Sequence, residues 1–152
     1  MTQRRVVVTG MGIWSCLGKN KDEVSEALRE GRSGIGIDPQ RTEYGYRSPL
    51  TGMVEKPMLK GLLDRKLRMF LAEEGVYAYM ATIEAFKQAG IDDAYLLENE
   101  VGVIFGNDSS AKAVIDSHET TLEKKDTTLV GSAAIFQSLK CFLQFSQSFT
   151  QL

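Results

Sequence analysis

The chain has 152 residues, 43% of them hydrophobic and 25% charged. That is enough apolar material for a packed core, and it excludes a disordered chain of low hydrophobicity and high net charge. Eighteen basic against twenty acidic side chains leave a formal net charge of −2, so no global field holds nucleic acid or an anionic membrane surface.

Arg4 and Arg5 precede a mostly apolar run, Val6 to Leu17. The run is broken by Thr9, Gly10, Gly12 and Ser15 and no A-x-A cleavage site follows, so it is not read as a signal peptide. No stretch reaches the roughly 18 apolar residues that span a bilayer, and a cytoplasmic protein is expected. Within the run, Arg5-Val-Val-Val-Thr9 is β-branched and closed by glycines, which predicts a strand buried on both faces. Asn20 with Glu23 three residues on is a helix start, Val24, Ala27 and Leu28 form its apolar face, and Gly31 is its stop. Residues 33–57 read as an extended connection with one strand at Leu50–Glu55. A basic helical turn, Asp64-Arg-Lys-Leu-Arg68, lies within Leu62–Phe70 and leads into a long helix over Glu73–Ala89. That helix carries Val76, Met80, Ile83 and Phe86 at helical spacing, and Gly90 ends it. Val101–Gly106 predicts a second buried strand. Strand, helix, long helix, strand implies a parallel pair joined by a crossover, so the class is α/β.

Gly10-Met-Gly12 after a strand suggests a dinucleotide-binding turn, but Ser15 stands where the fingerprint needs a third glycine, and no strand ending in an acidic residue follows about 20 residues later to hold a ribose. The simpler reading is two glycines that let a strand turn tightly. Cys16 and Cys141 are the available thiols and His118 the one histidine; both cysteines read as small buried hydrophobes and His118 as a surface residue. The cysteines form no disulfide framework and no zinc-type spacing, so neither metal nor cofactor is expected. Arg65, Lys66 and Arg68 form one basic cluster and Lys124-Lys125 another. Such clusters are commonly solvated helix faces, but they also suit docking of an acidic partner.

Arg5-Val-Val-Val-Thr-Gly-Met-Gly-Ile-Trp-Ser-Cys-Leu-Gly18, followed by Leu28-Arg-Glu-Gly-Arg-Ser-Gly-Ile35, resembles the opening of a β-ketoacyl-[acyl-carrier-protein] synthase, most nearly the type I condensing enzymes. Gly61-Leu-Leu-Asp-Arg-Lys66 and Val101–Gly106 are similar to later segments of that family, and the likeness runs to about Ser138. It implies a thiolase-like layered α/β fold, of which only the N-terminal part of the first half is present, and usually a homodimer. It implies an acyltransferase of fatty acid biosynthesis: an acyl chain passes from carrier protein to a cysteine thiolate, then condenses with malonyl-carrier protein after decarboxylation. Two histidines stabilise the oxyanions.

The resemblance places the nucleophile beyond Ser138 and both histidines beyond Leu152, so no catalytic residue is assigned to this sequence. Cys141 has bulky neighbours, Leu139, Lys140 and Phe142, unlike the family's small-residue turn. Arg65 and Lys66 match the family's basic pair for the acidic carrier and its phosphopantetheine-linked acyl substrate. Met69 stands where relatives often have another arginine, with Arg68 one residue early, and Lys124 and Lys125 fall near a second basic site. The resemblance puts Ser109, Ile135 and Phe136 near the acyl pocket. From Thr127 onward the only charged side chain is Lys140, and the expected organisation is a synthase-like region 1–138 with a divergent tail 139–152. A truncated or frame-disrupted product is the expectation, inactive alone. The alternatives are a non-catalytic module that binds carrier protein or a full-length synthase and, third, a dinucleotide-binding domain.

Overall fold

A computed structural model of the chain describes residues 5–106 and 111–131. Two compact units divide them: 5–56 with 80–91, and 57–79 with 92–106 and 111–131. Among the described residues no helix is long and apolar enough to cross a membrane.

In the first unit, α1 spans Lys21–Arg29. The Asn20 side chain accepts the Glu23 amide at 2.9 Å, and the Glu23 carboxylate in turn accepts the Lys19 amide at 2.8 Å, a capping box displaced by one residue. At the other end Gly31 takes φ 66°. The Arg32 and Gly31 amides then close on the carbonyls of Ala27 and Leu28, which is the Schellman stop expected for glycine past a helix end. Val24 and Ala27 are buried, whereas Leu28 of the predicted apolar face remains 66% exposed.

The connection read as extended holds more structure than its composition suggests. Strand β1, Ile35–Ile37, pairs antiparallel with β2, Leu50–Gly52. Between them α2, Pro39–Glu43, starts with Asp38 capping the Gln40 amide and proline in its first turn. The expected strand at Leu50–Glu55 therefore forms over its first three residues.

The two predicted buried strands do not form. Residues 5–9 and 101–106 adopt no strand, and Val6, Val8 and Ile104 are 97%, 82% and 95% exposed. A strand buried on both faces needs neighbours at its edges to take its backbone hydrogen bonds. Among the described residues the only paired strands are β1 and β2, and each pairs with the other. The parallel pair is thus absent there.

In the second unit α3, Arg65–Phe70, starts at Asp64, whose side chain accepts the Leu67 amide at 2.7 Å. Helix α4 spans Glu73–Ala89, as its periodicity predicts; its first residues, through Tyr79, belong to this unit and the rest to the first. Among the described residues, Leu59, Leu63, Leu71, Ala72, Val76 and Tyr79 are the buried apolar residues of the second unit. Helices α5, Asp93–Glu98, and α6, Lys112–Lys124, follow.

The Tyr77 hydroxyl donates to Glu73 Oε1 at 2.9 Å. Burial first, then the bond to Glu73 and its charge, push the phenol up to about 12. Because the folded state holds this proton more tightly, its contribution is complete below the unfolded value near 10 and is lost as pH rises towards 12. Tyr77→Phe is expected to flatten the loss of stability above pH 10, read from urea midpoints across that window. An alkaline limb unchanged by the substitution contradicts this.

Candidate functional site: a basic helix and a glycine rail

The glycines that suggested a nucleotide turn have a packing role. The first-unit part of α4 presents Ala81, Glu84, Ala85 and Gln88 on one side, at the i, i+3, i+4, i+7 spacing of a helix face. Residues 10–13 run along it in the opposite direction. A Cβ on Gly10 would meet the Ala85 carbonyl, and one on Gly12 the Ala81 carbonyl. Between these contacts the Met11 amide donates to Gln88 Oε1 at 2.7 Å and the Ile13 amide to Glu84 Oε2 at 2.9 Å.

The repeats match in length. Two extended residues advance roughly 6.6 Å and four helical residues about 6.0 Å. Every second residue therefore meets the same helix side one turn further on. Glycine is required because backbone lies where a side chain would begin.

Glu84 Oε1 also accepts the Lys21 amide at 2.7 Å. Lys21 is the first residue of α1, so this carboxylate satisfies an amide that a helix start leaves without an internal partner.

The rest of the N-terminal motif is likewise structural. The Ser15 and Gly18 amides and carbonyls bond reciprocally at 2.9 and 3.3 Å, and a Cβ on Gly18 would strike Glu23. Cys16 is half-buried, and its Sγ sits where side chains on Gly34 or Gly52 would go. His118 is exposed on α6, as a surface residue would be. Among the described residues no group of three or more histidine, cysteine, aspartate or glutamate side chains is placed to hold a metal ion.

The basic residues divide by element. Arg65 and Lys66 are exposed in the first turn of α3. Asp64, the carboxylate next to them, is engaged as the cap, and among the described residues neither cation has an ion-pair partner. Arg68 is half-buried and its Nε donates back to the Asp64 carbonyl at 3.2 Å. Lys124, the last residue of α6, pairs with Glu123 at 2.6 Å. Lys125 is exposed and caps that helix in the left-handed conformation, φ 52°, where glycine is usual. Ser109, Ile135, Phe136 and Cys141, with the tail 139–152, lie outside the described residues.

The side chains that reasoning from sequence missed are Glu84 and Gln88. Their signal was the small-residue spacing Ala81, Ala85, Ala89 on a helix otherwise read for its large apolar stripe.

The family model described as "Beta-ketoacyl synthase, N-terminal domain" matches residues 3–143. The 3-oxoacyl-[acyl-carrier-protein] synthase 1 of Escherichia coli (strain K12) is 40% identical over 105 residues, covering 68% of this chain and 26% of the relative. That of Haemophilus influenzae is 35% identical over 103 residues, covering 68% and 25%. This chain therefore spans about a quarter of the length of these curated relatives. A crystal structure of a β-ketoacyl synthase from Burkholderia phymatum STM815 superposes with a TM-score of 0.82 at 25% identity, over 97% of this chain and 37% of the other. The fold is accordingly the thiolase-like α/β fold of those synthases, represented by its N-terminal portion. With glycines 10, 12 and 18 laid against helices and a basic α3 following, the chain belongs to the β-ketoacyl synthase family, whose N-terminal domain it carries.

Proposed function

We propose that this chain is the N-terminal part of a β-ketoacyl-[acyl-carrier-protein] synthase of fatty acid biosynthesis, and that its own contribution is to dock the acyl carrier protein. The observation that carries this reading is the pair Arg65 and Lys66, exposed on α3 with no ion-pair partner among the described residues. Two cations held out from a capped helix suit an acidic partner: opposite charge speeds encounter and sets orientation. Lys124 and Lys125 form a second contact in this reading, with Lys125 the freer charge because Lys124 is paired to Glu123. Arg68 contributes least, since its guanidinium is turned back on the helix start. The acyl chain would pass near Ser109, Ile135 and Phe136. The protein works in the cytoplasm as one half of a homodimer.

In the decarboxylative condensation that the family performs, the carrier must present its thioester at one place for transfer to occur. A docking surface supplies that positioning, which is an entropic contribution to rate. The bond-making residues are a cysteine and two histidines, and this sequence supplies none of them. The purified 152-residue chain is therefore expected to release no carbon dioxide from malonyl-carrier protein. Measurable release would falsify this.

The test of docking is a titration of fluorescently labelled acyl carrier protein at low and moderate salt. Arg65→Ala/Lys66→Ala is expected to weaken binding about tenfold at low salt, roughly 1.4 kcal/mol for two rim charges. The difference should shrink as salt screens exposed charge. Equal affinity of the wild type and the double variant at low salt sinks the reading.

A further inference from the structure

The connection between β1 and β2 is exposed yet highly ordered. At its base the Asp38 amide donates to the Pro49 carbonyl at 2.8 Å, while the Asp38 side chain caps α2. Past the end of α2 the Tyr46 amide closes on the Arg41 carbonyl at 3.0 Å and the Gly45 amide on that of Thr42 at 3.1 Å, with Gly45 at φ 71°. Arg41 is half-buried: its guanidinium stacks 4.5 Å from the centre of the Tyr46 ring, and its Nε donates to the Ser48 carbonyl at 3.3 Å. Yet α2 buries no residue, and Tyr44 and Tyr46 stay 65% and 55% exposed. Arg47 is exposed as well, and among the described residues neither arginine has an ion-pair partner. Glu43 is the exposed carboxylate of the loop. Order that builds no core points to a surface. Tyrosine and arginine are over-represented among the residues that dominate interfaces, and a loop already ordered loses little entropy on binding.

A complementary surface lies on the second unit. No basic residue stands between Lys87 and Lys112. Within that stretch α5 also buries no residue, and it ends at Glu98, with Glu100 two residues on. Both carboxylates are exposed and have no ion-pair partner among the described residues. Beside them Leu97 is 85% exposed. We propose that the tyrosine–arginine loop of one copy of this chain docks on α5 of a second copy. Arg41 and Arg47 meet Glu98 and Glu100, and Tyr44 and Leu97 supply the apolar contact. Opposite charge orients the two surfaces, so the contact weakens with salt. Two different surfaces meet, so the contact is heterologous and adds copies head to tail, apart from any homodimer that pairs one patch with itself.

The test is sedimentation velocity on the whole chain. At about 0.05 M salt the sedimentation coefficient should rise between about 10 and about 500 μM protein, and the rise should largely vanish at about 0.5 M salt. Arg47→Glu reverses an unpaired charge of the loop, and Glu98→Lys/Glu100→Lys reverses two at the end of α5, where cations suit the helix dipole. Circular dichroism checks that each variant keeps the wild-type fold. Each alone should self-associate about tenfold more weakly than wild type. An equimolar mixture of the two should recover most of that loss, because the reversed loop then meets the reversed helix, a result that unfolding cannot produce. A wild-type coefficient that stays flat over this range overturns the proposal. So does association that neither variant weakens, which belongs to another surface. Variants that are both weakened but do not recover on mixing overturn the pairing of these two surfaces.

Discussion

Gly12→Ala is expected to destabilise the first unit by about 3 kcal/mol or more, the range of the most disruptive single substitutions. The added methyl would overlap the carbonyl of Ala81 and crowd the Ala85 amide. Both are backbone atoms inside a helix, so neither can rotate aside, and residues 10–13 must lift away from α4. Lifting breaks the bonds from Met11 to Gln88 and from Ile13 to Glu84. The lone tryptophan, Trp14, lies two residues on with its indole N–H on the Glu55 carbonyl at 2.8 Å. Its fluorescence reports this unit in a urea titration. Gly36→Ala is the matched control, because a Cβ there meets only the Met53 methyl at 3.8 Å, an ordinary contact. A shift of more than about 1 kcal/mol in the control, or a wild-type midpoint for Gly12→Ala, contradicts the rail.

Glu84→Ala comes next, at about 2–3 kcal/mol, and acts through a different mechanism. One carboxylate accepts amides from Ile13 and Lys21. Both bonds are charge-assisted, and removing the acceptor leaves two donors that must find water or remain unsatisfied. The sites are half-exposed or exposed, so water recovers part of the loss and the cost stays below that for two buried orphans. Lys21 opens α1, so the anion also sits at the positive end of that helix. Glu84→Gln should fall between, since its single carbonyl oxygen serves one amide while its NH2 faces the other. Hydrogen exchange distinguishes this from a general loosening: the Ile13 and Lys21 amides should lose protection first. Unchanged protection at both with a lowered midpoint would show that Glu84 stabilises by some other contact.

What could be read from the chain followed how local each signal is. The start of α1 at Asn20 and the span of α4 were legible because caps, glycine stops and helical spacing are written within a few residues; the basic turn read over Leu62–Phe70 forms α3 from Arg65, its Asp64 cap unread. The β1–β2 hairpin was largely missed: three-residue strands are too short for alternation to register, and Ile35, Ile37 and Leu50 are exposed, so neither carries a core pattern. Helix α6 was missed for a related reason, as it has no buried residue to impose a stripe. The valine run at 6–8 has the composition of a central strand, yet composition cannot supply the neighbouring strands that make one. At the site, Arg65 and Lys66 were legible as exposed charge, but the withdrawal of Arg68 depends on a bond back to Asp64. The role of Gly10 and Gly12 was least legible, since their partners, Ala85 and Ala81, are some seventy residues away.

The rail has a consequence for how this segment can change length. Its two repeats stay in phase because two steps of extended chain come close to the rise of four helical residues, so inserting a single residue between Gly10 and Gly12 would put a side chain where only backbone fits. Inserting two would restore the phase one turn along. The connection between β1 and β2, with Asp38–Pro49 bonded mainly to itself and exposed to solvent, has no such metre. Length variation among natural or engineered versions of this domain should therefore gather in that connection and be quantised, in pairs, along the rail.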